Sequence, residues 1–302
     1  MPDVMLSKIL PLISLSLLII SCEKSSYTAA NVSSITDSVL IDRLAALDVP
    51  LLPPQPGEWL TAHKEPGQTF RQYKLSKPVR TTDSREVIYI LPIGIFTPYQ
   101  DTVIMHTASY LETFFSLRVE VMKPLVNDVV VSEGQRDSYD GRQLLTNTIL
   151  DYLRSIMPAD AIVIMALTAT DLYGSNYNFV FGRGHIRDRV GVSSMARFAD
   201  APLDARNYAS CLERMIKTSS HEISHMFSCL HCTHAVCVMN GSNSLSESDS
   251  RPNRLCSECH KKLQWNMGFD VVERSEKLHA FFKKHDLAID EAWMEKELAL
   301  VR

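Results

Sequence analysis

The chain reads as an α/β protein built on a mostly parallel sheet, and three observations predict it. Short apolar runs of the kind a buried strand shows, 87–91 and 161–167, alternate with stretches of helical period. Strands separated by helices imply crossover connections and a layered, mostly parallel sheet. The 302 residues are 45% hydrophobic and 22% charged, ordinary globular values that allow one sizeable core.

Taken in order, the first twenty-odd residues stand outside that core. Lys8 precedes a mostly apolar run, 9–20, too short for a spanning helix of about 20 residues. It has the form of the apolar region of a signal peptide, giving residues 1–21 that role. The run ends Ile19-Ile20-Ser21-Cys22, which resembles a bacterial lipobox. That resemblance implies a lipidated Cys22 and an exported lipoprotein, membrane-anchored on the periplasmic side or at the cell surface. A plain signal peptide or signal anchor is the alternative. Residues 22–54, with a proline-stiffened stretch from Pro50 to Pro56, read as a tether, in which 38–47 suits a short helix. Residues 55–302 form the domain.

Within it, 87–92 is the first strand. Pro98 opens a helix carrying Val103, Tyr110, Leu111 and Phe114, and 118–122 alternates as a strand. A second helix is expected over 142–157, with Leu145, Ile149, Leu153 and Ile156 on one side. The run 161–167 is a buried strand, and 178–181 and 190–192 are further short ones. A long helix starts near Asp204. Residues 241–254, rich in Ser, Asn and Asp, read as a loop. Helices close the chain at 272–282 and 289–300.

The chemistry concentrates between His221 and Cys259. Here His221-Glu222-x-x-His225 is followed six residues later by His231. Residues four apart share one face of a helix, so His221 and His225 can aim two imidazoles at one point with Glu222 beside them. Leu212, Met215, Ile216, Ser219, Ile223, Met226 and Phe227 keep a 3.6-residue period on the opposite side. His231 cannot share the histidine face at its distance, so the helix must stop and the chain turn back under the metal. Three protein nitrogens with a fourth position left over is the layout of a catalytic zinc site, with Glu222 as general base. Cys232, Cys237, Cys256 and Cys259 suit a second, structural zinc, or two disulfides in an oxidising compartment. Cys211 and Cys229 read as inert buried thiols, and His234 and His260 as surface residues.

The third-histidine spacing resembles the metzincin pattern, with Met239 ahead of Asn240-Gly241 as the Met-turn. His231-Cys232, Cys237, Met239 and the later C-x-x-C resemble the archaemetzincin (archaelysin) family of zinc peptidases. So do Gly57-Glu58-Trp59-Leu60, Asp171-Leu172-Tyr173, Asn178-Phe179-Val180-Phe181-Gly182, Asn240-Gly241-Ser242-Asn243 and Arg251-Pro252. The likeness runs from about residue 55 to the C-terminus and is nearest the eukaryotic-type branch. It implies a metzincin-like (zincin) α/β fold with an active-site helix and a C-terminal part held by a four-cysteine zinc site. Two zinc ions per chain are implied, as is a wrapping role for 57–80. The region 171–181 would supply an edge strand over the cleft, to which an extended peptide could add. Two residues depart from the family pattern, Ser224 and Ser228, both standing where glycine is usual. Ser228 would need a positive φ, which costs a non-glycine residue about 1–2 kcal/mol.

The expected activity is zinc-dependent hydrolysis of peptide bonds in a peptide or protein substrate, to which Tyr173 and Tyr177 are candidate contacts. Two other classes fit the same residues: a zinc-bearing protein that binds peptides with little turnover, and an interaction module folded by the cysteine cluster. A formal net charge of -4 offers no basic excess to suggest nucleic acid.

Overall fold

The computed structural model describes residues 37–130, 133–139 and 141–302. The signal-peptide residues 1–21, with Cys22 and the start of the tether, lie outside the described residues. Among those described, the longer elements run in order β1 (Val87–Ile93), α1 (Pro98–Phe115), β2 (Val119–Val121), β3 (Gln135–Ser138), β4 (Gly141–Leu145), α2 (Thr146–Ile156), β5 (Ala161–Thr168), β6 (Asp171–Gly174), β7 (Tyr177–Val180), β8 (Gly182–His185), β9 (Val190–Ser194), α3 (Tyr208–Met226), α4 (Ser257–Met267), α5 (Val271–Lys284) and α6 (Ala288–Val301).

The fold is mixed α/β. Its main sheet has the order β2-β1-β5-β9-β8. The first four of these strands are parallel, and β8 closes the edge antiparallel to β9. Both faces of the sheet are covered, which is why 161–167 is apolar throughout rather than alternating. Val163, Met165 and Leu167 point into a core shared with α1 and α3. Ile164 and Ala166 point the other way, onto Ile149, Leu150 and Leu153 of α2. Helix α1 starts where the sequence places it, because Thr97 and Gln100 form a capping box and Pro98 opens the first turn.

Four expectations are corrected. Residues 142–145 are not the first turn of a helix but part of β4, which belongs to a second sheet of order β3-β4-β6-β7. There the buried Gln143 amide donates to Asp171 Oδ2 at 2.7 Å and to the Asn178 carbonyl at 3.0 Å, fixing the strand. Helix α3 starts at Tyr208, not near 204, because the Asp204 and Asn207 side chains fold 204–207 into a turn. Residues 257–267, given no element from sequence, form α4. Its buried Lys262, Gln264 and Asn266 hide the apolar period.

The fourth correction concerns the tether. Residues 37–44 are helical and pack on the domain, with Ile41 and Leu44 inside the main core. The Asp48 carboxylate accepts from both the backbone N–H (3.0 Å) and hydroxyl (2.5 Å) of Ser257. The described part of this segment is therefore bound structure.

Candidate functional site

Helix α3 divides into two faces. Leu212, Met215, Ile216, Ser219, Ile223 and Met226 are buried against the sheet and α1, while His221 and His225 face a cleft of about 790 Å³. The helix ends at Met226. Ser228 takes the left-handed conformation, φ 70°, that its position demands. Its hydroxyl accepts from the Val79 N–H at 3.1 Å and its carbonyl from Gln68 at 3.3 Å, so the residue is pinned from the 68–79 segment. The chain then turns back and brings His231 under the other two rings.

The three ring centroids lie 4.6, 4.8 and 5.2 Å apart. Each Nδ1 is already engaged. His221 Nδ1–H donates to the Val238 carbonyl at 2.8 Å, and His225 Nδ1–H to the Cys229 carbonyl at 2.6 Å. His231 Nδ1 meets the Glu65 carboxylate at 2.9 and 3.0 Å. A carbonyl only accepts, so on His221 and His225 the proton sits on Nδ1 and the Nε2 lone pair is free. The Nε2 atoms of His221 and His225 stand 3.0 Å apart. Two lone pairs facing at that distance repel unless a cation lies between them. Nitrogens on one tetrahedral zinc are about 3.3 Å apart, so the donor set fits that ion. Burial first, then repulsion among the rings, holds His221 well below an ordinary histidine and His225 down to about 4. Both are neutral at pH 7, with a lone pair that a metal could use.

Glu222 lies beside this pocket because of β8. Its Oε2 accepts from the Gly184 N–H at 2.5 Å. A Cβ at Gly184 would come within 2.5 Å of the Glu222 carbonyl oxygen, and one at Gly182 within 2.9 Å of Thr218 Cγ2. These two glycines let the edge strand lie directly on the helix. Burial raises Glu222 to about 7, opposed by the Gly184 N–H and the nearby Arg183 charge. The edge strand along the cleft is thus 182–185, just beyond the expected 171–181. Strand β7 flanks the same cleft.

The cysteines gather behind the histidines. Sγ atoms of Cys232, Cys237, Cys256 and Cys259 all lie within 4.8 Å of one another and are buried. Cys232 Sγ and Cys256 Sγ are 3.5 Å apart, far beyond the roughly 2 Å of a disulfide and near the about 3.8 Å of two thiolates on one zinc. Backbone N–H groups of Met239 and Cys256 point at Cys237 Sγ at 3.4 and 3.2 Å, as they would at a thiolate. The Lys262 ammonium sits 4.0 Å from Cys259 Sγ. Met239 is buried, and its carbonyl accepts from the Cys232 N–H at 2.7 Å, linking the two sites. Asn240 holds the turn through its side chain, accepting from Cys237 N–H and donating to the Cys232 and Ala235 carbonyls. Gly241 serves a different purpose from the tight turn expected of it. A Cβ there would sit 2.4 Å from Trp59 Cδ1.

Other candidates fall elsewhere. Tyr177 lines the cleft, but the Tyr173 hydroxyl donates to the Gly134 carbonyl just before β3. Cys211 and Cys229 are buried outside both clusters. His234 pairs with Asp48 at the surface, whereas His260 is buried, contrary to expectation, with its ring against Phe269. Two residues escaped the sequence reading. Glu65 orients His231, and Trp59 packs edge-on to the His231 ring at 5.0 Å. Trp59 lay in a segment singled out only by family likeness, and nothing local marked Glu65.

The model of peptidase family M54 matches residues 101–265. The protein is 34% identical over 257 residues to archaemetzincin-2 of Macaca fascicularis, covering 74% of this chain and 71% of that one. It is 30% identical to human archaemetzincin-1, covering 74% of this chain and 52% of that one. Among solved structures, an archaemetzincin from Methanopyrus kandleri matches with a TM-score of 0.49 and 29% identity, covering 62% of this chain and 98% of that one.

Proposed function

Since the chain belongs to peptidase family M54, the archaemetzincins, and is a zinc metallopeptidase acting on peptide or protein substrates, we propose that His221, His225 and His231 hold its catalytic zinc and that Glu222 is the general base. One observation carries this reading: three imidazoles converge with each Nδ1 engaged, and a carboxylate stands alongside. Zinc held there would lower the pKa of a water toward about 7 and polarise a carbonyl. The protein's own part is positional. The Gly184 N–H fixes one Glu222 oxygen and leaves the other for the water. From there Glu222 can take the proton during attack and deliver it to the departing amine. An extended peptide can lie along the free edge of β8, making main-chain hydrogen bonds.

Cys232, Cys237, Cys256 and Cys259 hold a second, structural zinc in this reading, beneath the Met239 turn, and the count is two ions per chain. The strain at Ser228 is the one observation that favours a weakly active variant of the same site. From the sequence alone, we also propose export as a lipoprotein anchored through Cys22. Radiolabelled fatty acid should enter the native chain and not Cys22→Ala.

Metal analysis with a peptide-library digest tests the central claim. Wild type should carry two zinc ions and cleave. Glu222→Ala should keep both ions and lose at least about a hundredfold in turnover, the usual scale for a general base. Equal cleavage by Glu222→Ala would refute the mechanism.

A further inference from the structure

The cleft wall one helical turn before His221 carries cations that the mechanism does not use. Lys217 and Arg251 both line it. They meet at one atom: the Ser248 carbonyl accepts from the Lys217 ammonium at 3.2 Å and from the Arg251 backbone N–H at 3.0 Å. The Arg251 guanidinium has no hydrogen-bond or ion-pair partner among the described residues, and its Nε is buried.

Other guanidiniums of similar or greater burial are engaged. Arg254 meets Glu297 at 3.0 Å, Arg214 meets Asp249 at 2.7 Å, Arg197 meets Asp171 at 2.8 Å, and Arg274 donates to the Phe114 carbonyl at 2.7 Å. A half-buried guanidinium without an acceptor gives up hydration for nothing, unless a ligand supplies the acceptor. Lys217 is buried, pairs with Glu213 at 3.6 Å and lies in the field of Asp290, and neither carboxylate lines the cleft. Arg183, across the cleft, is held by the neutral Thr146 and Asn147 side chains. Among the described residues that line the cleft, Glu222 alone is acidic.

We propose that Arg251 and Lys217 form a carboxylate-binding subsite that takes an acidic group of the substrate, either an Asp or Glu side chain near the cleaved bond or the free C-terminal carboxylate. A guanidinium offers a planar fork that matches a carboxylate, and an ammonium on the same cleft wall adds a second charge. The subsite deepens the peptidase reading and rests on it, since it presumes that a peptide occupies this cleft.

The test reads binding, not turnover. Zinc-loaded Glu222→Gln protein is equilibrated by dialysis with unlabelled octapeptide pools and the retained peptides are counted by mass spectrometry. The pools carry Glu or Gln at each position in turn, with the C-terminus free or amidated. A preference for Glu pools assigns the subsite to a side chain, and a preference for free-acid pools assigns it to the C-terminus. The expected preference is about tenfold, falling below about twofold when Arg251→Gln is added, the scale of a charge-assisted hydrogen bond. Lys217→Met should weaken it in the same direction. Thermal melts and zinc content confirm that each variant is folded. Equal retention of acidic and neutral pools, or a preference that survives Arg251→Gln, overturns the subsite. Failure of the peptidase reading is seen separately, as absence of Glu222-dependent cleavage of the same pools by wild type.

Discussion

At the scale of single residues, the site depends on what holds each ring and each turn. Ser228 is the clearest case. Its φ of 70° lies where a Cβ is unfavourable, yet its hydroxyl satisfies the Val79 N–H. Two effects therefore oppose each other, and two substitutions separate them. Ser228→Ala keeps the strain and loses the acceptor. Ser228→Gly loses the same acceptor but releases the strain. Glycine should therefore exceed alanine in stability by about 1 kcal/mol, read as the difference between denaturation midpoints multiplied by the common slope. Equal stability would show that the backbone pays nothing here. Ser224, the second departure from the family pattern, raises no backbone question. It lies within α3, with its hydroxyl buried and unpartnered.

At the scale of elements, the pairing of β8 with α3 decides whether Glu222 is aimed. The strand can approach so closely only because Gly182 and Gly184 have no side chain. Gly184→Ala must push the strand off the helix, since its Cβ would meet backbone rather than a flexible tip. The hydrogen bond to Glu222 should lengthen while the three histidines, anchored by Val238, Cys229 and Glu65, stay in place. Zinc content should hold and turnover fall by about a hundredfold, the scale of a misplaced catalytic group. Loss of zinc together with activity would mean that the helix itself had moved. This element also shows where sequence reading stops. His221, His225 and the apolar stripe of α3 are legible because helical period is local. Gly182-Arg-Gly-His185 has no alternating apolar pattern, and its strand character comes from its neighbour β9 and from the helix beneath. The polar strands β3 and β4 of the second sheet escape for the same reason, and 142–145 reads as helix because a true helical period follows it.

At the scale of the molecule, the segment before residue 55 is joined to the cysteine site from three sides. The Val49 carbonyl accepts from Val236 N–H at 2.8 Å, between Cys232 and Cys237. The Leu47 carbonyl accepts from Arg254 at 3.3 Å, two residues before Cys256. Asp48 binds Ser257 at the first turn of α4, where a carboxylate also complements the helix dipole, and α4 carries Cys259. None of this is visible in sequence, because each contact joins residues about 190 to 210 apart in the chain. Ile41 and Leu44 add apolar burial worth about 1.5–3 kcal/mol each as an upper estimate. A domain has only about 5–15 kcal/mol in total, so a chain starting at residue 55 should be marginal. Its zinc-loaded melting temperature should fall by roughly 10 °C or more relative to residues 37–302, at about 2–4 °C per kcal/mol for this size. Zinc should also leave the cysteine site faster for a chromophoric chelator, because Cys256 and Cys259 lose the strap that holds α4 against Cys232 and Cys237. If the two chains melt together and release zinc at one rate, the segment is a tether after all, and the packing of Ile41 and Leu44 contributes nothing that the domain needs.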